Sequence, residues 1–298
     1  MAWERGRPRE MYYFGLAPGD DLLCTAVLRE LAARQRKHVW MMSNHPQLFA
    51  GNADVAQVVP VDERFHFYTT LRGGKYQRLE YATVDLARDL GVQPSRHIIA
   101  ELCLRAGVTG TIAVRPYFFP TEAEKAQAAW AGGVIAIQSS GLASKYPMRN
   151  KQWFAERFQE VVDGLKKECK FVQLGSPSDP PLDGVVDLRG KTGLRETAAV
   201  LANCRLYLGN VGFLMHLARA VECPAVIIYG GREAPWQSGY TCNANLYSAE
   251  PCAPCWFWNK CDFNRICMDK ISANQVIGAI HDMRARPRNP LAVDSYTI

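Results

Sequence analysis

Four cysteines near the end of the chain have a spacing suited to binding a metal ion. They are Cys252, Cys255, Cys261 and Cys267, in the segment EPCAPCWFWNKCDFNRICM, with the pattern C-x2-C-x5-C-x5-C. The C-x2-C pair lets two thiolates approach one ion, and four thiolates favour tetrahedral Fe or Zn, between which the sequence does not choose. Four protein ligands leave no position for a substrate. The sequence therefore predicts a structural metal site, and a metal-free Cys-rich loop is the alternative.

An acidic pair at the start of a predicted helix is the first candidate for catalysis. Asp20 and Asp21 follow Pro18-Gly19 in the stretch APGDDLL, where a strand ends and helical spacing begins. The positive end of the helix dipole favours an ionised carboxylate there, which could serve as a general base. Helix capping is the simpler interpretation, but two adjacent aspartates exceed the need of one cap.

A second strand-end segment, IQSSGLASKYPMRNKQWF, combines hydroxyl groups with a cation. Ser139 and Ser140 follow a predicted strand, and Lys151 precedes a helix that we expect to begin near Gln152-Trp153. Hydroxyls, a cation and the free N–H groups of a helix start together suit a phosphate. The segment therefore predicts a phosphate site, and a surface loop with solvated cations is the alternative.

A third strand-end segment, LYLGNVGFLMHLARAV, places glycines between a strand and a helix. The candidates are Gly209, Asn210 and Gly212 in the loop and His216 on the helix. Glycines let a ligand approach the backbone closely, and a helix N-terminus favours a diphosphate. A single histidine on such a helix is more often a core or capping residue than a ligand-binding one.

The elements that position these segments alternate between strand and helix. Apolar runs such as MYYFGL, HVWMMSN and PAVIIYGG are typical of buried strands, and helical patterns follow several of them. The pattern restarts after Gly132-Gly133, a dipeptide suited to a linker. We therefore predict an α/β fold with two Rossmann-like domains, residues 1–131 and 132–298, and a cysteine loop at about 250–268. Ligands of such sheets bind at the carboxyl ends of the strands, so the domains would share a cleft.

Composition and charge narrow the classes of function. In 298 residues, 48% hydrophobic and 21% charged content is ordinary for a globular protein, and the net charge of +6 forms no basic arm. No nucleic acid is therefore expected as a partner, although a zinc-ribbon nucleic-acid-binding protein is an alternative. The sequence has no run of 18 apolar residues and no signal-peptide core in MAWERGRPRE, so we expect no membrane span and a cytoplasmic chain.

Taken in order, the four segments resemble one enzyme family. GDDLLCT, SS…NKQW, GNVGFLMHLA and CAPC…C…CM are similar to motifs of the bacterial heptosyltransferases, glycosyltransferase family 9, and the resemblance covers nearly the whole chain. The third motif departs from the family pattern. Asn210 stands where aspartate is usual, Val211 stands where a hydroxyl residue is usual, and one extra residue separates Gly212 from His216.

The resemblance implies the GT-B fold, in which two Rossmann-like domains with parallel sheets face a central cleft. It implies inverting transfer of a sugar, a heptose from ADP-heptose, to an acceptor hydroxyl without a catalytic metal, with an acceptor-side N-terminal domain and a donor-nucleotide C-terminal domain. By motif position Asp20 would be the base, and Ser139, Ser140 and Lys151 would bind the phosphates. In the autotransporter branch of the family such cysteines hold an iron.

The sequence leaves several possibilities open. The acceptor could be a glycan, a protein side chain or a small molecule. The chain could also be a non-catalytic sugar-nucleotide-binding protein, which Asn210 suggests. Trp256, Phe257, Trp258 and Phe263 give the cysteine loop many apolar rings, which suit either packing on the chain itself or contact in a homo-oligomer.

Overall fold

Strands and helices alternate in the computed structural model, which describes residues 8–15, 17–36, 38–71, 73–85, 90–287 and 290–298. In the first half the elements are β1 Glu10–Tyr13, α1 Pro18–Ala33, β2 Val39–Met42, β3 Gln57–Val59, α2 Arg64–Leu71, β4 Lys75–Arg78, β5 Thr83–Asp85, β6 Leu90–Val92, α3 Ile98–Arg105, β7 Thr111–Val114 and α4 Glu122–Gln127.

The second half continues the alternation. Its elements are β8 Ile135–Ile137, α5 Ala155–Leu165, β9 Phe171–Gln173, β10 Val186–Asp187, α6 Leu194–Asn203, β11 Leu206–Asn210, α7 Phe213–Ala220, β12 Ala225–Tyr229, α8 Pro235–Ser238, β13 Ala244–Tyr247, α9 Ile266–Asp269, α10 Ala273–Ala285 and β14 Asp294–Thr297. No helix in the described ranges is long and apolar enough to cross a bilayer.

Each half contains one parallel sheet. The first has the order β3-β2-β1-β4, and the second has the order β10-β9-β8-β11-β12-β13. All five side chains of β12, the run AVIIY, are buried, as expected for a strand covered by helices on both faces. Parallel pairing brings the carboxyl ends of the strands to one edge of each sheet, where ligands of such folds bind.

The two halves are joined by helix packing at the start of α1. A Cβ atom placed on Gly19 would lie 3.6 Å from the Cα atom of Phe213, at the start of α7. That distance is ordinary van der Waals contact, so α1 approaches α7 about as closely as a methyl group at this position would allow. The small residue therefore lets the strand ends of the two sheets face one another.

The domain boundary between residues 131 and 132 stays a prediction. The two parallel sheets fall on either side of it. However, β14 pairs antiparallel with β7, with Asp294 opposite Val114. The last strand of the chain thus returns to the first half, so the two halves interleave.

The helix predicted to begin near Gln152 begins instead at Ala155. Residues Arg149–Lys151 form a short 3-10 turn, and Gln152 is extended. The Gln152 side chain accepts a hydrogen bond from the Gly141 N–H at 2.9 Å, and its carbonyl oxygen accepts one from Arg265 at 3.1 Å. These tertiary bonds hold Gln152 out of the helix, a contribution that local sequence does not reveal.

Candidate functional site

A cavity of about 580 Å³ lies between the two halves, where the strand ends meet. Its first wall comes from the segment that begins α1, the loop after β2 and Tyr81, which follows β4. Its second wall comes from the loops after β8, β9 and β11 and the first turn of α7. This is the shared cleft that the sequence predicts.

Asp20 stands in the first wall of the cavity. Its Oδ1 atom accepts a hydrogen bond from the Tyr81 hydroxyl at 3.0 Å. Burial raises the pKa of Asp20 to about 6, while the Tyr81 bond and the Lys151 cation act in the opposite direction. A carboxylate with a pKa near neutrality is well matched to accepting a proton from a hydroxyl group.

Asp21 is turned away from the cavity and is fully buried. Its Oδ2 accepts a hydrogen bond from the Ser43 hydroxyl at 2.6 Å and lies 2.8 Å from His45 Nδ1, and its Oδ1 accepts from the Gly15 N–H at 3.4 Å. The structure therefore separates the two adjacent aspartates that the sequence predicts as catalytic. Consecutive residues on a helix point about 100° apart, so one faces the cavity and the other the core.

Neither predicted phosphate-binding serine lines the cavity. Ser139 is buried, where its hydroxyl donates to the Pro180 carbonyl at 2.6 Å and accepts from Gln173 Nε2 at 2.9 Å. Ser140 Oγ accepts from the Leu142 N–H at 3.1 Å. Both hydroxyl oxygens bond within the chain, and the predicted phosphate role of the two serines stays a prediction.

Lys151 does line the cavity, and it belongs to a buried charge cluster. Its ammonium group contacts the Glu233 carboxylate, which also lies 3.4 Å from the Arg232 guanidinium. Burial alone would raise the pKa of Glu233, but Lys151, Arg232 and hydrogen bonds outweigh it and lower that pKa to about 2. Burial lowers the pKa of Lys151. Two cations and one carboxylate leave a net positive charge beside the cavity.

The third predicted segment contributes three of its four candidates to the cavity: Asn210, Gly212 and His216. Gly212 precedes the first turn of α7, where Phe213 and Leu214 also line the cavity and the first N–H groups have no acceptor within the helix. Gly209 is not in the wall. A Cβ atom there would lie 2.2 Å from the Tyr207 hydroxyl oxygen, so this glycine makes room for a neighbouring side chain.

Asn210 and His216 both have partners within the chain. Asn210 Oδ1 accepts a hydrogen bond from the Trp153 N–H at 3.2 Å. His216 Nδ1 lies 2.7 Å from the Tyr240 hydroxyl, and burial lowers the pKa of His216 to about 3. A neutral imidazole at that position provides a polar contact without a charge.

Asp179 is a cavity residue that the sequence analysis missed. It is 2% exposed, and its Oδ2 accepts from the Ser176 N–H at 3.0 Å, whereas Oδ1 has no hydrogen-bond partner among the described residues. A Cβ atom on Gly175, whose φ is +125°, would lie 2.2 Å from that Oδ2. The glycine after a strand is the signal that could have pointed to this close approach. Asp179 thus places a buried carboxylate beside the cavity, with one oxygen that no described residue uses as an acceptor.

The four cysteines are close enough to influence one another. Burial raises the pKa of Cys267, and Cys252 and Cys261 raise it further. Cys267 Sγ accepts a hydrogen bond from the Gly231 N–H at 3.0 Å, and Cys261 Sγ accepts from the Arg265 N–H at 3.2 Å. Within the described ranges, however, no three His, Cys, Asp or Glu side chains form a ready metal site. The Fe or Zn site stays a prediction.

The aromatic rings of the cysteine loop differ in how far they pack on their own chain. Trp256 is 1% exposed, donates to Gln237 Oε1 at 3.0 Å and lies beneath Arg232, so it packs on its own chain. Trp258 meets Tyr146 edge to face, with ring centroids 5.8 Å apart. Phe263 is 60% exposed. The oligomeric state stays a prediction.

Sequence comparison supports the predicted resemblance. Residues 120–260 match the family model for glycosyltransferase family 9 (heptosyltransferase). Over 94 residues the chain is 31% identical to lipooligosaccharide heptosyltransferase 2 of Haemophilus influenzae. That stretch is 27% of this chain and spans 27% of the relative. The family predicted from the motifs is confirmed for residues 120–260.

Three solved structures share the fold over most of the chain. A family 9 glycosyltransferase from Veillonella parvula has a TM-score of 0.69 at 18% identity and covers 94% of this chain and 98% of its own. Escherichia coli ADP-heptose lipopolysaccharide heptosyltransferase II has a TM-score of 0.68 at 14% identity, with coverages of 92% and 98%. The iron-containing dodecameric glycosyltransferase TibC of enterotoxigenic E. coli has a TM-score of 0.69 at 16% identity, with coverages of 93% and 76%. The predicted GT-B fold is confirmed.

Replacement of Asp20 by asparagine should stabilise the protein at alkaline pH. The pKa of Asp20 is about 6 in the folded protein and 3.8 ordinarily, so the folded state favours the protonated carboxyl. The wild-type protein therefore loses stability as the pH rises from about 4 to 6. Asp20→Asn carries no such cost. Its free energy of unfolding, measured in urea, should exceed that of wild type by about 1–3 kcal/mol at pH 8 and differ little from it at pH 4. The exposed Asp163→Asn is the control. An equal gain at both pH values would contradict the raised pKa.

Proposed function

The chain contains a glycosyltransferase family 9 domain, and we propose that it transfers a heptose from ADP-heptose to an acceptor hydroxyl with inversion and without a catalytic metal. One observation carries the proposal: a single cavity holds a carboxylate of raised pKa, Asp20, and the buried cation Lys151. A proton acceptor on one wall and a positive charge on the other suit attack by a hydroxyl and departure of a diphosphate. The named functions of the relatives support heptose and ADP as the transferred group and nucleotide.

The diphosphate of the donor would bind to the second wall of the cavity. Lys151 and the net positive charge of its cluster with Arg232 and Glu233 would offset the phosphate charges. The N–H groups at the start of α7, after Gly212, supply hydrogen-bond donors there. Asp179 lines the same wall, and its buried Oδ1, which has no hydrogen-bond partner among the described residues, would accept from a hydroxyl or amino group of the nucleoside once the site opens to it. This assignment replaces Ser139 and Ser140, whose hydroxyls bond within the chain.

The acceptor would approach along the first wall. Asp20 takes the proton of the acceptor hydroxyl while the oxygen of that hydroxyl attacks the anomeric carbon from the face opposite the diphosphate. The new C–O bond forms as the bond to the phosphate oxygen breaks, and the nucleoside diphosphate leaves with the electron pair. General-base assistance contributes about 10²–10⁴-fold, and each well-placed charge or donor at the leaving group contributes on the order of 3 kcal/mol.

A non-catalytic sugar-nucleotide-binding protein is the second candidate. It is favoured by Asn210, whose amide oxygen is engaged by the Trp153 N–H where the family usually has an aspartate. In that case the cavity would bind the donor and leave it unchanged. Turnover separates the two candidates.

We also propose that the four cysteines hold one structural Fe or Zn ion. Three observations support the four thiols as metal ligands. Their spacing suits an ion, Cys252 and Cys261 raise the pKa of Cys267, and backbone N–H groups donate to Cys261 and Cys267. The sulfurs would have to draw closer together around the ion, as metal binding commonly orders its own site. A reducing cytoplasm would keep these thiols available for it.

Wild-type protein should transfer heptose from ADP-heptose to de-acylated lipooligosaccharide that lacks heptose. Asp20→Asn should lower the rate by at least about 100-fold, because the base is removed, and should leave ADP affinity unchanged in calorimetry. Asp163→Asn is the matched control. Tight donor binding without turnover on any of a panel of glycan, peptide and small-molecule acceptors would favour the binding protein.

Lys151→Ala should weaken ADP binding by about 1.5–3 kcal/mol, because a charge-assisted contact to phosphate is lost. The variant leaves Glu233 paired with Arg232 alone, so its unfolding free energy must be measured beside its affinity. Lys166→Ala changes a solvent-exposed lysine paired with Asp163 and serves as the control. An unchanged ADP affinity in folded Lys151→Ala would contradict the phosphate assignment.

Protein purified without a metal-affinity tag should contain about one Fe or Zn per chain, with metal–sulfur distances near 2.3 Å by X-ray absorption. Cys252→Ser should lose metal and melt at a lower temperature, since the folded loop is stabilised by the ion. Cys169→Ser, outside the loop, is the control. The site would be excluded if the native protein contained no metal and all four thiols of the loop reacted with a thiol reagent.

A further inference from the structure

His45 is a second polar side chain on the first wall of the cavity, and no motif pointed to it. It lies in the loop after β2, lines the same cavity as Asp20, and keeps 28% of its side chain exposed. Its Nδ1 atom is 2.8 Å from Asp21 Oδ2. Among the described residues, no group hydrogen-bonds its Nε2 atom. The unused nitrogen therefore remains available to a ligand.

The contact with Asp21 determines which nitrogen carries the proton. The Asp21 carboxylate is 0% exposed and accepts hydrogen bonds from Ser43 and Gly15, so it faces His45 as an acceptor. Nδ1 must then donate, and in a neutral imidazole Nε2 is left with a lone pair. Asp21 thus prepares His45 to accept a hydrogen bond from whatever enters the cavity.

The backbone around His45 is fixed as well. The His45 N–H donates to Ser43 Oγ at 2.9 Å, and the same Ser43 hydroxyl donates to Asp21. Ser43 is 1% exposed, and its own N–H donates to the Val59 carbonyl at 2.9 Å. Asp21 and Ser43 therefore hold His45 through one closed set of bonds. Such prior ordering reduces the entropy lost when a substrate is bound.

We propose that His45, oriented by Asp21, binds the acceptor substrate through Nε2 and sets the attacking hydroxyl against Asp20. The inference rests on the proposed function, since it assigns a group to the acceptor side of that site. It also explains the adjacent acidic pair: Asp20 faces the cavity directly, whereas Asp21 acts there through His45. Asp21 is a positioning residue, and His45 touches the substrate.

The tautomer of His45 tests the orienting contact without any ligand. Nitrogen-15 NMR of histidine-labelled full-length protein at about pH 8, where imidazoles are ordinarily neutral, should show His45 protonated at Nδ1. The His45→Gln spectrum assigns the resonance by its disappearance. In Asp21→Asn the fraction of His45 that is protonated at Nδ1 should fall. The asparagine amide can either accept from Nδ1 or donate to it, so it no longer selects one tautomer. A wild-type His45 protonated at Nε2 would overturn the inference.

Steady-state kinetics with ADP-heptose and de-acylated, heptose-free lipooligosaccharide test the contact with the acceptor. His45→Ala should raise the acceptor KM by roughly ten-fold, the loss expected for one hydrogen bond, and should leave the ADP dissociation constant unchanged. His45→Gln should recover part of the loss, since its amide oxygen can accept a hydrogen bond, and Asp21→Asn should resemble His45→Ala. His281→Gln, on the exposed face of α10, is the matched control.

The two proposals fail in different ways. An acceptor KM in folded His45→Ala equal to that of wild type overturns the role of His45 and leaves the transferase proposal standing. A weakened ADP affinity in the same variant would assign His45 to the donor and also overturn the inference. If the wild-type protein transfers heptose from ADP-heptose to none of the acceptors in the panel, the proposed function is overturned. The acceptor role of His45 is then overturned with it.

Discussion

The approach of α1 to α7 is the constraint on which the cavity depends. Gly19 lies against Phe213 at a distance that leaves little room for a side chain. Because both helices begin at strand ends, this one contact brings the base candidate Asp20 and the N–H groups after Gly212 into the same space. Each sheet alone would present only half of a site. The chemistry therefore depends on a helix–helix contact that contains no catalytic residue.

The cysteine loop is hydrogen-bonded to the segment that carries Lys151 in the second wall of the cavity. Asn150 Nδ2 donates to the carbonyl oxygens of Phe257 and Lys260, at 3.2 Å and 2.8 Å, and the Asn150 N–H donates to the Trp258 carbonyl at 3.0 Å. Asn150 directly precedes Lys151. These bonds connect the loop to the residue beside the lysine that we propose binds phosphate, so a metal that orders the loop would be expected to act on donor binding without touching the donor.

The architecture and the location of the cleft could be predicted from the sequence because they depend on local patterns. Buried runs such as AVIIY and the helical spacing of α1 specify their elements within a few residues. Elements without such patterns were missed. Helix α2 has the sequence RFHFYTTL, which lacks an apolar stripe, and strand β14 is short and polar. Their formation depends on partners distant in the sequence.

The site was predicted less completely because side-chain direction is decided by tertiary partners. Ser139 has the residue type for phosphate binding, but Gln173, 34 positions later, draws it into the core. His45 gains its significance from Asp21, 24 positions earlier, and Glu233 from Lys151. No spacing rule links such pairs. Residue types at strand ends locate a site, whereas the hydrogen bonds of the folded chain decide which atoms face it.

The pairing of β14 with β7 has a consequence for biosynthesis. Thr111 and Thr297 contact one another across 186 positions, and the Gly110 and Ile298 backbones exchange hydrogen bonds beside them. Among the described residues β14 is the strand that pairs with β7, so during translation this pairing cannot form until residues 294–297 have been made. An unpaired strand edge that persists so long is a template for pairing with other chains. A chaperone that covers this edge until β14 emerges would protect the nascent chain from aggregation there.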